Sequence, residues 1–152
     1  MTKNSRGRLT KFKINPGLYN PYKPGFGHYY NVHIFDTREN MRNFSNTIRK
    51  EEYPDKIYEA KVIPYWRVKE LPDGDYIVAP KVGDVLFHQK RLEVRIVSHE
   101  CVHMATSFLR ILNNYDLKLR SQIDENEENL AYTIGNCCDQ IYKKINQLGL
   151  FN

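Results

Sequence analysis

The chain has 152 residues, 41% of them apolar and 27% charged, with a formal charge of +5. That is enough for one domain around an ordinary core, and too apolar for a disordered chain. No run approaches the ~18 apolar residues of a membrane-spanning helix, and the basic N-terminus lacks the apolar stretch and cleavage site of a secretory signal.

Six basic residues, Lys3, Arg6, Arg8, Lys11, Lys13 and Lys23, precede the first acidic one, Asp36. The remaining 17 basic and 18 acidic residues nearly cancel, so the excess charge belongs to the N-terminus. The same stretch carries Pro16, Pro21, Pro24, Gly17, Gly25 and Gly27. That density argues against regular structure. Residues 1–27 are therefore expected to form a basic extended arm and residues 28–152 the folded domain. The arm reads either as a tether for nucleic acid or an acidic partner, or as a solvated tail.

Tyr29–Phe35 (YYNVHIF) is rich in β-branched and aromatic residues and predicts a strand. Asp36 and Glu39 have capping-box spacing, so a helix should start near Thr37 with Met41, Phe44 and Ile48 on its buried stripe. Pro54 should end it. Residues 60–68 (AKVIPYWRV) predict a strand, at an edge or bulge because of Pro64. A turn at LPDGD and short strands at 76–79 and 85–87 complete a small, mostly antiparallel sheet.

Residues 92–112 change to a helical period, with Val94, Val97, Cys101, Ala105, Phe108 and Leu112 on one face. Residues 124–148 predict a second long helix with Leu130, Ile134, Cys138, Ile141 and Ile145 inward. The expected fold is α+β, the sheet packed on two long C-terminal helices. Cys101, Cys137 and Cys138 are odd in number and two are adjacent, which excludes a disulfide framework and favours a reducing compartment, the cytoplasm.

The first long helix contains His99-Glu100-Cys101-Val102-His103, an HExxH motif. Residues four apart stack on one helix face, so His99 and His103 can address one metal ion. Neutral imidazoles suit Zn2+. Glu100 sits beside the ion and serves as general base toward a bound water, whose pKa the metal lowers from about 16 to near 7. A third protein ligand is then needed. No histidine follows His103, which leaves the acidic run opening the last helix. Glu127 lies near the apolar stripe, and Glu128 flanks the small residues Ala131 and Gly135; geometry does not separate them. Tyr132 is a candidate oxyanion donor, or a packed surface tyrosine. The strand at 85–87 offers an edge for an extended peptide. His28, His33 and His88 read as surface or turn residues, and Cys101 as a small buried hydrophobe.

HExxH followed by Glu128-Asn129-Leu130-Ala131-Tyr132 resembles the HExxH…ExxAY pattern of small zincin-like proteins of tailed bacteriophages, and more loosely ImmA/IrrE-type metallopeptidases. The resemblance spans about residues 76–142. It implies two helices, the first bearing two histidines and the second a glutamate ligand, which corresponds to Glu128. It implies a zinc metallopeptidase acting on a peptide or protein, in the bacterial host cytoplasm or associated with a virion. The alternative is a non-catalytic zincin-like structural or assembly protein whose basic arm meets nucleic acid or a neighbouring subunit.

Overall fold

The computed structural model describes residues 5–17, 27–48, 58–65, 68–74, 76–112 and 123–151. The elements are β1 (Arg8–Ile14), β2 (Tyr29–Phe35), α1 (Arg38–Ile48), β3 (Ala60–Pro64), β4 (Val68–Glu70), β5 (Tyr76–Val78), β6 (Lys81–His88), α2 (Val94–Leu112) and α3 (Ile123–Leu148). The main sheet has the order β1-β2-β6-β3, and β4 and β5 form a separate hairpin. The β1–β2, β3–β6 and β4–β5 pairs are antiparallel, and β2–β6 is parallel. The architecture is the expected α+β one: a mostly antiparallel sheet with two long C-terminal helices.

Strand alternation divides the core in two. Tyr30, Val32 and Ile34 of β2 join Val85 and Phe87 of β6 on the side of α2 and α3. Phe35 joins Leu86, Ile63, Met41 and Phe44 on the side of α1. Both faces of β2 and β6 are therefore covered, and these two strands read as near-continuous buried runs. α1 begins as expected, but its capping oxygen belongs to Thr37, which accepts from the Asn40 backbone N–H at 3.2 Å. Asp36 instead accepts from the Asn40 side chain at 2.8 Å. The predicted helix end near Pro54 lies outside the described residues.

The expectation of an irregular N-terminal arm is corrected at Arg8–Ile14. This stretch is an edge strand, paired along its length with β2. Its pattern is the reason: Phe12 and Ile14 point into the core while Leu9, Lys11 and Lys13 point out. The segment after the strand is also fastened. Gln140 of α3 accepts from the Asn15 backbone N–H at 2.8 Å and donates to its carbonyl at 2.7 Å. Asn136 donates to the Pro16 carbonyl at 3.1 Å.

The expected apolar face of α3 packs on the core, joined there by buried polar residues. Ile141 and Ile145 are buried as predicted. Leu130, Ile134 and Cys138 are only partly buried, while Asn129, Thr133 and Asn136 are sealed in. The helix lies between α2 and the N-terminal segment, and that segment's backbone needs polar partners. On α2, Val94 is 62% exposed rather than in the core stripe; it stands in the helix's first turn.

Two features fix α2 on the sheet. The buried Tyr30 hydroxyl donates to the Met104 carbonyl at 2.9 Å, one residue past His103. The Tyr30 ring fits because its β6 neighbour is Gly83, where an added Cβ would lie 2.8 Å from the ring and 2.5 Å from the Ile63 carbonyl oxygen. Glycine is the residue that permits this approach.

Candidate metal centre

α2 presents its motif across two faces. Cys101 and Ala105 turn inward with Val97 and Phe108. His99, Glu100, His103 and Ser107 line a cleft of about 530 Å³ whose opposite wall is β3, chiefly Ala60, Val62 and Pro64.

The histidines meet across one turn. Their Nε2 atoms stand 3.2 Å apart, with ring planes inclined by 72°. Two nitrogens bound at ~2.0–2.1 Å to one tetrahedral zinc are separated by ~3.3–3.4 Å. The pair thus fits two adjacent corners of such a shell. The His99 side chain is 67% exposed, and His103 is exposed as well.

Glu100 differs sharply from its neighbours. Its side chain is 8% exposed, and its Oε1 lies 4.0 Å from His99 Nε2. Burial pushes its carboxyl up to about 7, because the low-dielectric surroundings disfavour the charged form. A carboxyl so placed is near the balance point for accepting and returning a proton at neutral pH.

The structure does not bring Glu128 to the histidines. Glu127 and Glu128 are both exposed on α3. α3 packs on the side of α2 that carries Ser98 and Cys101: Ser98 Oγ hydrogen-bonds the Tyr142 hydroxyl, and Cys101 and Cys138 lie near enough to interact. At 3.6 residues per turn that side lies ~150° around the helix from His99 and His103. The two helices run antiparallel, with 98 beside 142 and 101 beside 138. Glu128 is therefore ~12 Å along the axis from the level of His103, at 1.5 Å per residue. Among the described residues, no group of three or more His, Cys, Asp or Glu side chains is arranged to hold a metal. Tyr132 is 42% exposed and does not line the cleft.

The peptide-docking edge expected at 85–87 is corrected. Those residues lie within β6, which is paired on one side with β2 and on the other with β3. Among the described residues, the sheet edge beside the motif is β3, and Pro64 at its end is the sequence signal for an edge.

Of the remaining histidines, His28 is partly exposed beside the Ala79 carbonyl, at 3.3 Å, whereas His33 and His88 are not surface residues. His33 is 2% exposed and bonds Asp84 at 2.7 Å. Burial lowers its pKa despite that carboxylate, so a neutral imidazole donates to Asp84. Burial acts to raise Asp84, but hydrogen bonds from His33, Tyr65 and Lys81 outweigh it and hold the carboxyl at about 2. His88 is 3% exposed and bonds Glu59 at 2.7 Å. That bond, more than any other contact, depresses the Glu59 pKa.

No family model, no curated protein and no solved structure matches this chain. Among the described residues, no helix is long and apolar enough to cross a membrane.

Proposed function

We propose that this protein is a metal-dependent hydrolase of peptide or related amide bonds, centred on His99, Glu100 and His103. The observation that carries the reading is the 3.2 Å approach of the two Nε2 atoms at the mouth of a cleft, with a buried carboxyl between them in sequence. A zinc ion there would supply Lewis acidity and a water acidic enough to attack at neutral pH. His99 and His103 would hold it. Glu100 would take the proton from the attacking water and return it to the leaving amine. β3, an edge strand among the described residues, lines the cleft, where an extended backbone can align by strand addition. Glu128 remains the third ligand that the sequence pattern nominates, and Tyr132 its nominated oxyanion donor. The reading assigns neither a step, because α3 lies against the far side of α2.

The test is metal content and hydrolysis of an unstructured protein substrate, measured on the same preparations. Wild type is expected to bind about one zinc per chain and to cleave. Glu100→Gln is expected to keep the zinc and lose cleavage. Equal cleavage by Glu100→Gln, or unchanged zinc in His103→Ala, would overturn the reading.

A second reading rests on a separate observation. Lys11 and Lys13 project from the edge strand β1, with Arg6 exposed just before it. That cationic edge suits a non-catalytic structural or assembly role, in which it meets nucleic acid or the acidic surface of a neighbouring subunit. Replacing Arg6, Lys11 and Lys13 with glutamine would then abolish assembly while leaving the fold intact.

A further inference from the structure

We propose that the cavity where the first turn of α1 meets the turn after β6 binds the phosphate group of a small phosphorylated molecule. This cavity shares no lining residue with the cleft of His99 and His103, and it is independent of whether a metal binds there.

The cavity has a volume of about 450 Å³, within the range of pockets that enclose small molecules. Three cationic side chains line it: Arg38 from the start of α1, and Lys90 and Arg91 from the short turn that follows β6. One guanidinium suffices for a planar carboxylate, whereas a phosphate group points its oxygens apart and takes cationic donors from several sides. Thr37, the residue that caps α1, lines the same cavity. The positive end of the helix therefore opens on it, with first-turn N–H groups that have no intrahelical carbonyl to bond.

A buried side chain supplies an independent observation. His88 is 3% exposed and lines the cavity. Its Nε2 bonds Glu59 at 2.7 Å, while its buried Nδ1 has no hydrogen-bond partner among the described residues. A buried ring nitrogen left without a partner is destabilising. A phosphate group satisfies it in either form: its oxygens accept from an N–H, and the hydroxyl of a singly protonated phosphate donates to a bare nitrogen.

Glu59 does not cancel the cations. Its Oε1 accepts from Arg38 Nη1 at 2.8 Å and its Oε2 is bonded to His88, so both oxygens are engaged and the guanidinium is held at the cavity wall. A guanidinium carries donors on each of its nitrogens, so Arg38 can hold Glu59 and a ligand together. Arg91 lies 3.3 Å from Glu93 in a pair whose side chains are 42% and 40% exposed, an arrangement readily exchanged in water. The opposing group is Glu39, exposed at the same wall.

The test is a nuclear magnetic resonance titration of the full-length protein with adenosine monophosphate and, separately, inorganic phosphate, at constant ionic strength. Both should produce saturable amide shifts at residues 37–39 and 88–91, and adenosine should produce none there. Arg38→Gln and Arg91→Gln should each weaken binding about tenfold, the usual loss for a charge-assisted bond, with unfolding by urea unchanged. Glu39→Gln should tighten it about twofold, because a like charge leaves. Replacing Lys11 and Lys13 with glutamine on β1 should leave binding as in wild type. No saturable shift with either phosphate probe would overturn the proposal. So would shifts from adenosine equal to those from the monophosphate, or wild-type affinity in both arginine variants. A short single-stranded oligonucleotide that saturates these residues where neither probe does would also overturn it, because the surface would then serve a polyanion backbone.

Discussion

Two pairs of histidines occupy opposite circumstances. His33 and His88 lie in the sheet, buried, each bonded at 2.7 Å to a carboxylate. His99 and His103 lie on α2, exposed, with their nitrogens turned toward each other. Each sheet histidine bonds a carboxylate through Nε2: Asp84 sits across the β2–β6 pairing, and Glu59 just ahead of β3. Among the described residues, the helical histidines meet each other at 3.2 Å and no strand neighbour. A histidine whose ring is committed to a buried carboxylate is structural, whereas two that converge in the open are available for a ligand.

That contrast can be broken by substitution. The largest effect is expected from Glu100→Gln, which should cut hydrolysis by about 10²–10⁴-fold, the usual worth of a general base. Its zinc content should match wild type by elemental analysis. Asp84→Ala should destabilise the fold by about 3–5 kcal/mol, because it strands a buried hydrogen-bonding set. Urea unfolding measures this, and zinc binding by the folded fraction should be unchanged.

Acid should act through the same carboxylate. The folded Asp84 pKa, about 2, lies below its unfolded value near 3.8. The stabilisation is therefore complete above pH ~4 and lost as pH falls toward 2, amounting to about 2–3 kcal/mol. Stability measured from pH 5 to 2 should show this slope in wild type and a shallower one in Asp84→Asn. The exposed Arg38–Glu59 pair, at 2.8 Å, sharpens the scale from below. Arg38→Ala should cost under about 1 kcal/mol, and less in high salt.

The legibility of the chain follows the same division. HExxH was readable because helical spacing alone determines that residues 99 and 103 converge. Met41 and Phe44 were readable from period, and Pro64 pointed to an edge. The strand at Arg8–Ile14 was masked by charge, although its Lys-Phe-Lys-Ile alternation is the period-two signature. The burial of His33 depends on Asp84, 51 positions away and brought alongside only by the parallel β2–β6 pairing. No local pattern carries that contact. On α3, apolar spacing ranks Leu130 and Ile134 inward, and both pack partly buried against the core; it does not carry the amides of Asn136 and Gln140, which bond the backbone of residues 15–16. The placement of α3 against the Cys101 side of α2 was likewise set by packing, and it decides whether an α3 carboxylate can reach the motif.

Zinc titration of the metal-free protein, followed by calorimetry, addresses the helical pair most directly. Wild type should bind one ion per chain, and His103→Ala should weaken binding at least a hundredfold with unfolding by urea unchanged. Equal affinity in the two proteins would contradict the assignment of His99 and His103 as the metal-holding residues.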